Sequence, residues 1–201
     1  MIPVAKVGKP CDFDAKVKQP GDAWLVSHPS AERPPALWAP YTSALCEGFA
    51  NLCGYAAMHD PTGGTVDHFL SVKHHRHLAY EWTNYRFSSA PLNSSKRAAD
   101  DAVLDPFEVG AGWFEIILPS LQLRLTDAVP PALRAKAEFT LKRLKLRDGE
   151  RIIRWRRSWY RMYTEGRITL DGLRVVAPLL AAAVEAQSPA ATAPAGPAEG
   201  H

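Results

Sequence analysis

The sequence predicts an α+β fold, in which an N-terminal arm precedes short strands and helices and a helical region closes the chain. Three observations predict it. Short β-prone runs alternate with turn residues in the middle of the chain, helix-periodic runs fill its second half, and Pro gathers towards both ends. A length of 201 residues allows one sizeable core with appendages.

The composition is that of a soluble globular protein, with 46% hydrophobic and 22% charged residues. No apolar run approaches the ~20 residues that a membrane-spanning helix needs. The first residues, from Met1 to Lys6, lack the basic-then-apolar layout of a secretory signal. We therefore expect a cytoplasmic protein without a membrane partner, whose Cys11, Cys46 and Cys53 are reduced thiols.

The first part of the chain predicts an arm followed by a helix. Residues 1–40 are rich in Pro and turn-forming residues, which favours an extended N-terminal arm, and Trp24 and Trp38 are its expected anchors. From Tyr41 to Cys53 apolar residues recur at helical spacing, so a helix is expected there, ended by Gly54.

The middle of the chain predicts a strand, a loop, a second strand and a helix. The turn residues 60–64 lead into a β-prone run at residues 65–70. A histidine-rich loop separates it from a second run at residues 78–87, and a helix is expected from Pro91 to about Val103.

The C-terminal half predicts a β-hairpin over residues 113–125 and then three helices, at about 132–146, 150–163 and 170–185. The Ala, Pro, Gly and Ser composition beyond them has nothing to bury and predicts a disordered tail. The expected organisation is an arm (1–40), a core (41–107), a hairpin and basic helical region (108–186) and a tail (187–201).

One pattern in the core indicates chemistry. Asp67-His68 closes the first strand, Asn84 lies in the following segment, and Asn93-Ser94-Ser95-Lys96 opens a helix. This order resembles the motif of HNH (His-Me finger) nucleases. The segments around Cys53 and at residues 104–107 also resemble bacterial HNH proteins, so the resemblance covers residues 46–107 and implies a ββα-metal core.

The resemblance implies a role for each of these residues in phosphodiester hydrolysis. His68 is the expected general base, and Asn84 is expected to orient its imidazole. Asp67 and Asn93 are the expected oxygen ligands of one divalent cation, Mg²⁺ or Mn²⁺. Lys96 and Arg97, on the following helix, are expected to approach a DNA phosphate.

The sequence departs from the family where many members carry a zinc knuckle built from two Cys-x-x-Cys pairs. Here the four ligand positions are Cys53, Ala56, Ser89 and Leu92. A structural zinc site needs four N or S ligands, so no structural zinc is expected. We expect apolar packing to clamp the core instead, by Leu52, Tyr55, Phe69, Phe87 and Leu92.

The charge is concentrated in one segment. Between Arg134 and Arg161 there are 11 Lys or Arg and 3 acidic residues, whereas the whole chain carries only +3. Arg151, Arg154 and Arg157 are therefore candidates for binding the DNA backbone, with a solvated helical face as the alternative. The interleaved aromatic residues favour a core role over base stacking, and they are Trp155, Trp159, Tyr160 and Tyr163.

Other interpretations accompany the nuclease hypothesis. Asn93 is also suited to be a helix N-cap. His74, His75 and His77 are expected to form a solvated loop near DNA rather than a metal cluster, because Lys73 and Arg76 would repel a cation. The predicted function is a metal-dependent DNA endonuclease. The alternative is a non-cleaving nucleic-acid-binding module of HNH shape, and an interaction protein is the weakest hypothesis.

Overall fold

Strands and helices alternate in the computed structural model, which describes residues 1–187 and is of the α+β class. The predicted tail, apart from its first residue, lies outside the described part. The strands are β1 (Thr65–His68), β2 (Tyr85–Ser88), β3 (Phe114–Ile117) and β4 (Gln122–Leu125). The α-helices are α1 (Gln19–Ser27), α2 (Thr42–Gly48), α3 (Ala90–Lys96), α4 (Pro131–Arg143), α5 (Glu150–Thr164), α6 (Leu170–Val176) and α7 (Pro178–Gln187).

The predicted order of strand, loop, strand and helix is present in the middle of the chain. Strands β1 and β2 pair antiparallel, with Val66 opposite Phe87 and His68 opposite Tyr85. Helix α3 follows β2 directly and packs against β1. The helix ends at Lys96, earlier than predicted, because the next residue has a positive φ of 50° that a helix cannot continue through.

The N-terminal arm is helical in part, which corrects the expectation of an extended segment. A π-helical turn over Asp14–Lys18 leads into α1. Phe13 and Val17 are fully buried, and Gly21 lies so close to Tyr80 that a Cβ atom there would come within 2.3 Å of the ring. Contact with the rest of the chain therefore stabilises a helix that local propensity does not predict.

Both expected anchors of the arm contact the body of the protein. Trp24 faces the Arg76 guanidinium, whose carbon lies 5.7 Å from the ring centroid, and Arg76 donates a hydrogen bond to the carbonyl of His28 (2.6 Å). Trp38 packs against the ring of His68. The predicted helix after the arm stops at Gly48, because Ala50 and Asn51 have positive φ angles.

The C-terminal half contains the predicted hairpin and one helix more than expected. Strands β3 and β4 pair antiparallel, with Ile116 opposite Leu123. Helices α4 and α5 follow the predicted ranges closely. The last predicted helix is divided into α6 and α7, because Pro178 forces the preceding Ala177 out of helical geometry (φ −156°, ψ 68°).

Two clusters of buried residues flank the β1–β2–α3 unit. One joins the arm to the two strands, and it is built from Phe13, Val17, Leu45, Phe49, Val66, Ala79, Tyr80, Trp82, Tyr85 and Phe87. The other joins the unit to the hairpin and the C-terminal helices, and it includes Tyr55, Leu92, Leu123, Leu141 and Leu180. Within residues 1–187, no helix combines the length and apolar character that crossing a membrane requires.

Candidate active site

His68 is the last residue of β1, and its imidazole is held on three sides. The half-buried ring meets Trp38 edge-on, with centroids 4.5 Å apart, and Tyr85 edge-on at 5.0 Å. Its Nε2 lies 2.8 Å from the carbonyl oxygen of Ala79. A carbonyl only accepts hydrogen bonds, so Nε2 carries the proton and Nδ1 presents the lone pair when the ring is neutral.

The surroundings of His68 favour this neutral form. Burial lowers the pKa of His68 below its usual 6.5, while the Ala79 carbonyl and the Asp67 carboxylate oppose that shift. At neutral pH the ring is therefore uncharged, with Nδ1 able to take a proton.

Asn84 bonds to the loop backbone rather than to the imidazole, which corrects its expected contact. Its Oδ1 accepts a hydrogen bond from the Leu70 amide (2.8 Å), and its Nδ2 donates to the carbonyls of Leu70 (2.9 Å) and Leu78 (3.2 Å). These bonds join the start of the histidine-rich loop to the residue before Ala79. Asn84 therefore bonds to the backbone next to Ala79 and not to His68.

Asp67 precedes His68 and points into the interior. Its side chain is 2% exposed. The Tyr55 hydroxyl donates to Oδ2 (2.7 Å), and the Lys96 ammonium donates to Oδ1 (3.1 Å). Burial, more than the neighbouring carboxylate, raises the pKa of Tyr55 well above its usual value, so the phenol remains a donor at any physiological pH. Both oxygens of Asp67 are therefore engaged.

Lys96 is buried, which corrects the expectation that it would approach a phosphate. Its side chain is 0% exposed, and Nζ donates to the carbonyls of His68 (2.9 Å) and Phe69 (2.8 Å) besides Asp67. The last residue of α3 thus reaches back to the end of β1. Its three acceptors satisfy the three protons of an ammonium group.

Asn93 is half-buried and lies one turn before Lys96. Its Nδ2 donates to the carbonyl of Val66 (3.2 Å), the residue before Asp67. The helix begins at Ala90 with Ser89 in the N-cap position, so the alternative role of Asn93 as an N-cap is wrong. The amide of Asn93 instead joins α3 to the β1 backbone at Val66.

The side-chain oxygen atoms of Asp67 and Asn93 can be compared with the ligands that a divalent cation requires. Asp67 and Asn93 supply oxygen atoms, which is the type that Mg²⁺ prefers. In type they suit one hard cation, and the contact between their segments is the Asn93 bond to the Val66 carbonyl. In the described conformation Lys96 holds Oδ1 of Asp67, so a cation there takes the place of the ammonium group. No group of three His, Cys, Asp or Glu side chains is arranged as a metal site within residues 1–187.

Two of the four positions that correspond to a zinc knuckle in HNH proteins are in contact in this fold. The Ser89 amide donates to Sγ of Cys53 (3.3 Å), so the first positions of the two pairs are in contact. Ala56 and Leu92, at the last positions, are both buried in the same cluster as Cys53. Cys53 therefore has a hydrogen bond from Ser89 and lies in an apolar cluster.

Arg86 and Asp105 form a buried ion pair that the sequence analysis missed. The guanidinium Nε donates to Oδ1 of Asp105 (2.6 Å), Nη2 bonds to the other oxygen, and the guanidinium carbon lies 4.0 Å from the Phe107 ring centroid. The resemblance to HNH proteins at residues 104–107 includes Asp105, and the bidentate ion pair shows how that residue contributes to the fold. It fixes β2 to the chain after α3.

The histidine-rich loop is tied to Asp100, another residue that the sequence analysis did not select. One oxygen of Asp100 accepts from the Ser71 amide (2.6 Å), and the other lies 2.6 Å from Nδ1 of His74. Burial raises the pKa of Asp100, but the hydrogen bonds from the Ser71 amide and His74 lower it by more, so the pKa lies below its usual value. His75 and His77 neighbour His74 in the loop and complete no metal site with it.

The predicted DNA-binding arginines divide into two groups. Arg97 and Arg151 line one groove. Arg154 is paired with Glu150 on the same helix, and Arg157 is exposed. The aromatic residues of α5 are half-buried and pack against the C-terminal core cluster, which confirms the core interpretation; they are Trp155, Trp159, Tyr160 and Tyr163.

Comparison with known proteins adds no family to this geometry. No protein-family model matches the chain, and no curated protein matches it. The HNH resemblance therefore depends on the motif and on the placement of its residues.

Proposed function

We propose that this protein is a metal-dependent HNH-type endonuclease that hydrolyses phosphodiester bonds in DNA. The observation that carries the proposal is the position of Asp67 and His68 at the end of β1 and of Asn93 on the following α3, bonded to the β1 backbone, in the chain order of the HNH motif. The fixed tautomer of His68 supports it, because a general base needs a free lone pair at neutral pH.

In this mechanism His68 acts on a water molecule. Nδ1 takes a proton from the water as its oxygen attacks phosphorus, and the bond from phosphorus to the 3′ oxygen breaks. The departing oxygen takes a proton from solvent, which leaves a 5′-phosphate and a 3′-hydroxyl. A divalent cation held by Asp67 and Asn93 supplies charge stabilisation at the phosphoryl oxygens when it is bound. The Ala79 carbonyl keeps the other ring nitrogen protonated, and Asn84 keeps that carbonyl in place.

A second candidate function is a nucleic-acid-binding module that does not cleave. The observation that favours it is the buried pair of Lys96 and Asp67, which neutralises the carboxylate without a metal ion. The two candidates differ in whether a divalent cation displaces the ammonium group.

A plasmid-nicking assay separates the two candidates. Wild-type protein with Mg²⁺ or Mn²⁺ is expected to nick supercoiled plasmid, and EDTA is expected to abolish nicking. His68→Ala is expected to lower the rate by about 10²–10⁴-fold, because that is the usual contribution of a general base. His68→Gln, which keeps bulk between Trp38 and Tyr85, is expected to lose activity as well.

The matched control is His77→Ala, since His77 is an exposed histidine of the neighbouring loop. It is expected to nick at the wild-type rate. A His68 variant that is folded and nicks as fast as wild type would exclude His68 as the base. Wild-type protein that binds DNA but nicks with neither metal would establish the non-cleaving module instead.

A further inference from the structure

A basic groove runs along α3 and is lined by residues other than Asn93 and Lys96, which bond to β1. It has a volume of about 650 Å³ and lies between α3 and the turn that joins α4 to α5. The lining residues that matter for its charge are Arg97, Arg143, Lys145 and Arg151, and Ser94 of α3 lies among them.

The charge of this groove is unbalanced. Arg97, Arg143, Lys145 and Arg151 come from three separate segments, and no carboxylate lines the groove with them. None of the four belongs to an ion pair within residues 1–187, whereas Arg154 on the same helix is paired. Four exposed cations without counter-charges make a concave site for an anion.

An adjoining cavity extends the groove. It has a volume of about 300 Å³ and adds the apolar side chains of Leu92, Leu144 and Ile152. Its one carboxylate, Glu150, is bonded to Arg154. The cations therefore face a surface that is partly apolar rather than a wall of acids.

The backbone holds two of the cations in unusual positions. Arg97 and Lys145 have positive φ angles of 50° and 51°, which residues with a Cβ atom rarely adopt. Gly149 packs so tightly on the Lys145 carbonyl that a Cβ atom would lie 2.5 Å from its oxygen. Arg143 donates a hydrogen bond to the carbonyl of Lys96 (3.2 Å), which ties α4 to the end of α3.

The groove and the candidate active site lie on different faces of one helix. Asn93 and Lys96 bond to β1, while Ser94 and Arg97 line the groove. A helix with its side chains is ~10 Å across, so a ligand that reaches both faces is extended. The four cations of the groove favour a polyanion. A DNA strand rises ~3.4 Å per nucleotide, so about three nucleotides span that distance.

We propose that this groove binds the sugar-phosphate backbone of a DNA strand beside the position of cleavage. The inference rests on the proposed function for the position of cleavage, while the binding itself does not depend on hydrolysis. Arg154 and Arg157 then have no part in the contact, although they carry the same charge on the same helix as Arg151.

The test measures affinity in EDTA, where cleavage does not interfere. The probes are a labelled duplex of mixed sequence and one of its strands, titrated with full-length protein over a range of salt concentrations. One variant carries Arg97→Gln, Arg143→Gln, Lys145→Gln and Arg151→Gln. The matched control removes four other exposed cations, by Lys6→Gln, Arg154→Gln, Arg157→Gln and Arg161→Gln.

The groove variant is expected to bind more weakly and to flatten the slope of log K against log salt by up to about three to four, since each neutralised phosphate contributes about −0.9. The control variant is expected to have a slope of log K against log salt that differs from the wild-type slope by less than about one. Equal slopes for the two variants, or a wild-type protein that binds neither probe, would overturn the proposal. Loss of nicking with binding intact would count against the proposed function alone.

Discussion

At the scale of single residues, the buried pair of Asp67 and Lys96 is the least expected feature of the site. Burying two charges is costly, and the cost is offset only where every hydrogen-bonding group is satisfied. Here Tyr55 donates the second hydrogen bond of the Asp67 carboxylate, and the carbonyls of His68 and Phe69 accept the remaining two hydrogen bonds of the Lys96 ammonium group. The pair therefore holds α3 against β1 in the absence of a metal ion.

This arrangement predicts that Lys96→Met is strongly destabilising. Removing one partner leaves the other charge buried and uncompensated, which typically costs about 3–5 kcal/mol of unfolding free energy. The double variant Lys96→Met with Asp67→Asn is expected to recover much of that loss, because no charge is then left without a partner. Urea unfolding of the variants measures both effects.

Lys142→Met is the control for this comparison, since Lys142 is exposed and belongs to no ion pair in the described chain. It is expected to change the unfolding free energy by less than about 0.5 kcal/mol. A Lys96→Met protein as stable as this control would show that the buried pair does not support the fold.

The shifted pKa of His68 predicts the pH dependence of nicking. Only the neutral ring accepts a proton, so activity is present above the pKa of His68 and is lost as the pH falls through it. Burial lowers that pKa, which places the acid limb of kcat/KM below about pH 6.5, the ordinary value. Rates measured from acid to neutral pH test this, with His77→Ala as a control that keeps the limb unchanged. An acid limb above the ordinary histidine value contradicts the assignment.

At the scale of elements, local sequence patterns predicted the strands and helices correctly wherever the segment's own sequence decides its structure. The alternation around residues 113–125 predicted the hairpin, and apolar spacing predicted α4 and α5. The helix in the N-terminal arm was not predictable in this way, because contacts with Tyr80 and the first core cluster stabilise it. The break at Pro178 was readable from the sequence and was overlooked.

The candidate site, like the secondary structure, was predicted in part. The motif order predicted that Asp67 and His68 close a strand and that Asn93 lies on the following helix, and β1 and α3 have these positions. It did not indicate where the long Lys96 side chain points, because a lysine on a helix reaches either solvent or a buried acceptor. The roles of Tyr55 and Asp100 depend equally on contacts between segments distant in the sequence.

At the scale of the whole molecule, the predicted boundary between residues 107 and 108 crosses continuous packing. Cys53, Tyr55 and Leu92 belong to the same buried cluster as the hairpin and the C-terminal helices. Hydrogen bonds cross the boundary as well, from the His59 amide to the Val176 carbonyl and from the Leu104 amide to the Thr140 hydroxyl (both 2.8 Å). The candidate active site therefore sits on a unit whose second face is completed by the C-terminal region.

This packing predicts that residues 1–107 alone do not form a cooperative fold, because the second buried cluster loses most of its members. The full chain is expected to unfold in urea as one transition, with tryptophan fluorescence and circular dichroism changing together. A chain ending at Gln187 is the control, since it keeps every contact named above and is expected to retain the full-length midpoint. A fragment of residues 1–107 that unfolds cooperatively, or a full chain with two separate transitions, would show that residues 1–107 fold on their own. The basic groove would then join two independent units, since its cations come from both sides of the boundary.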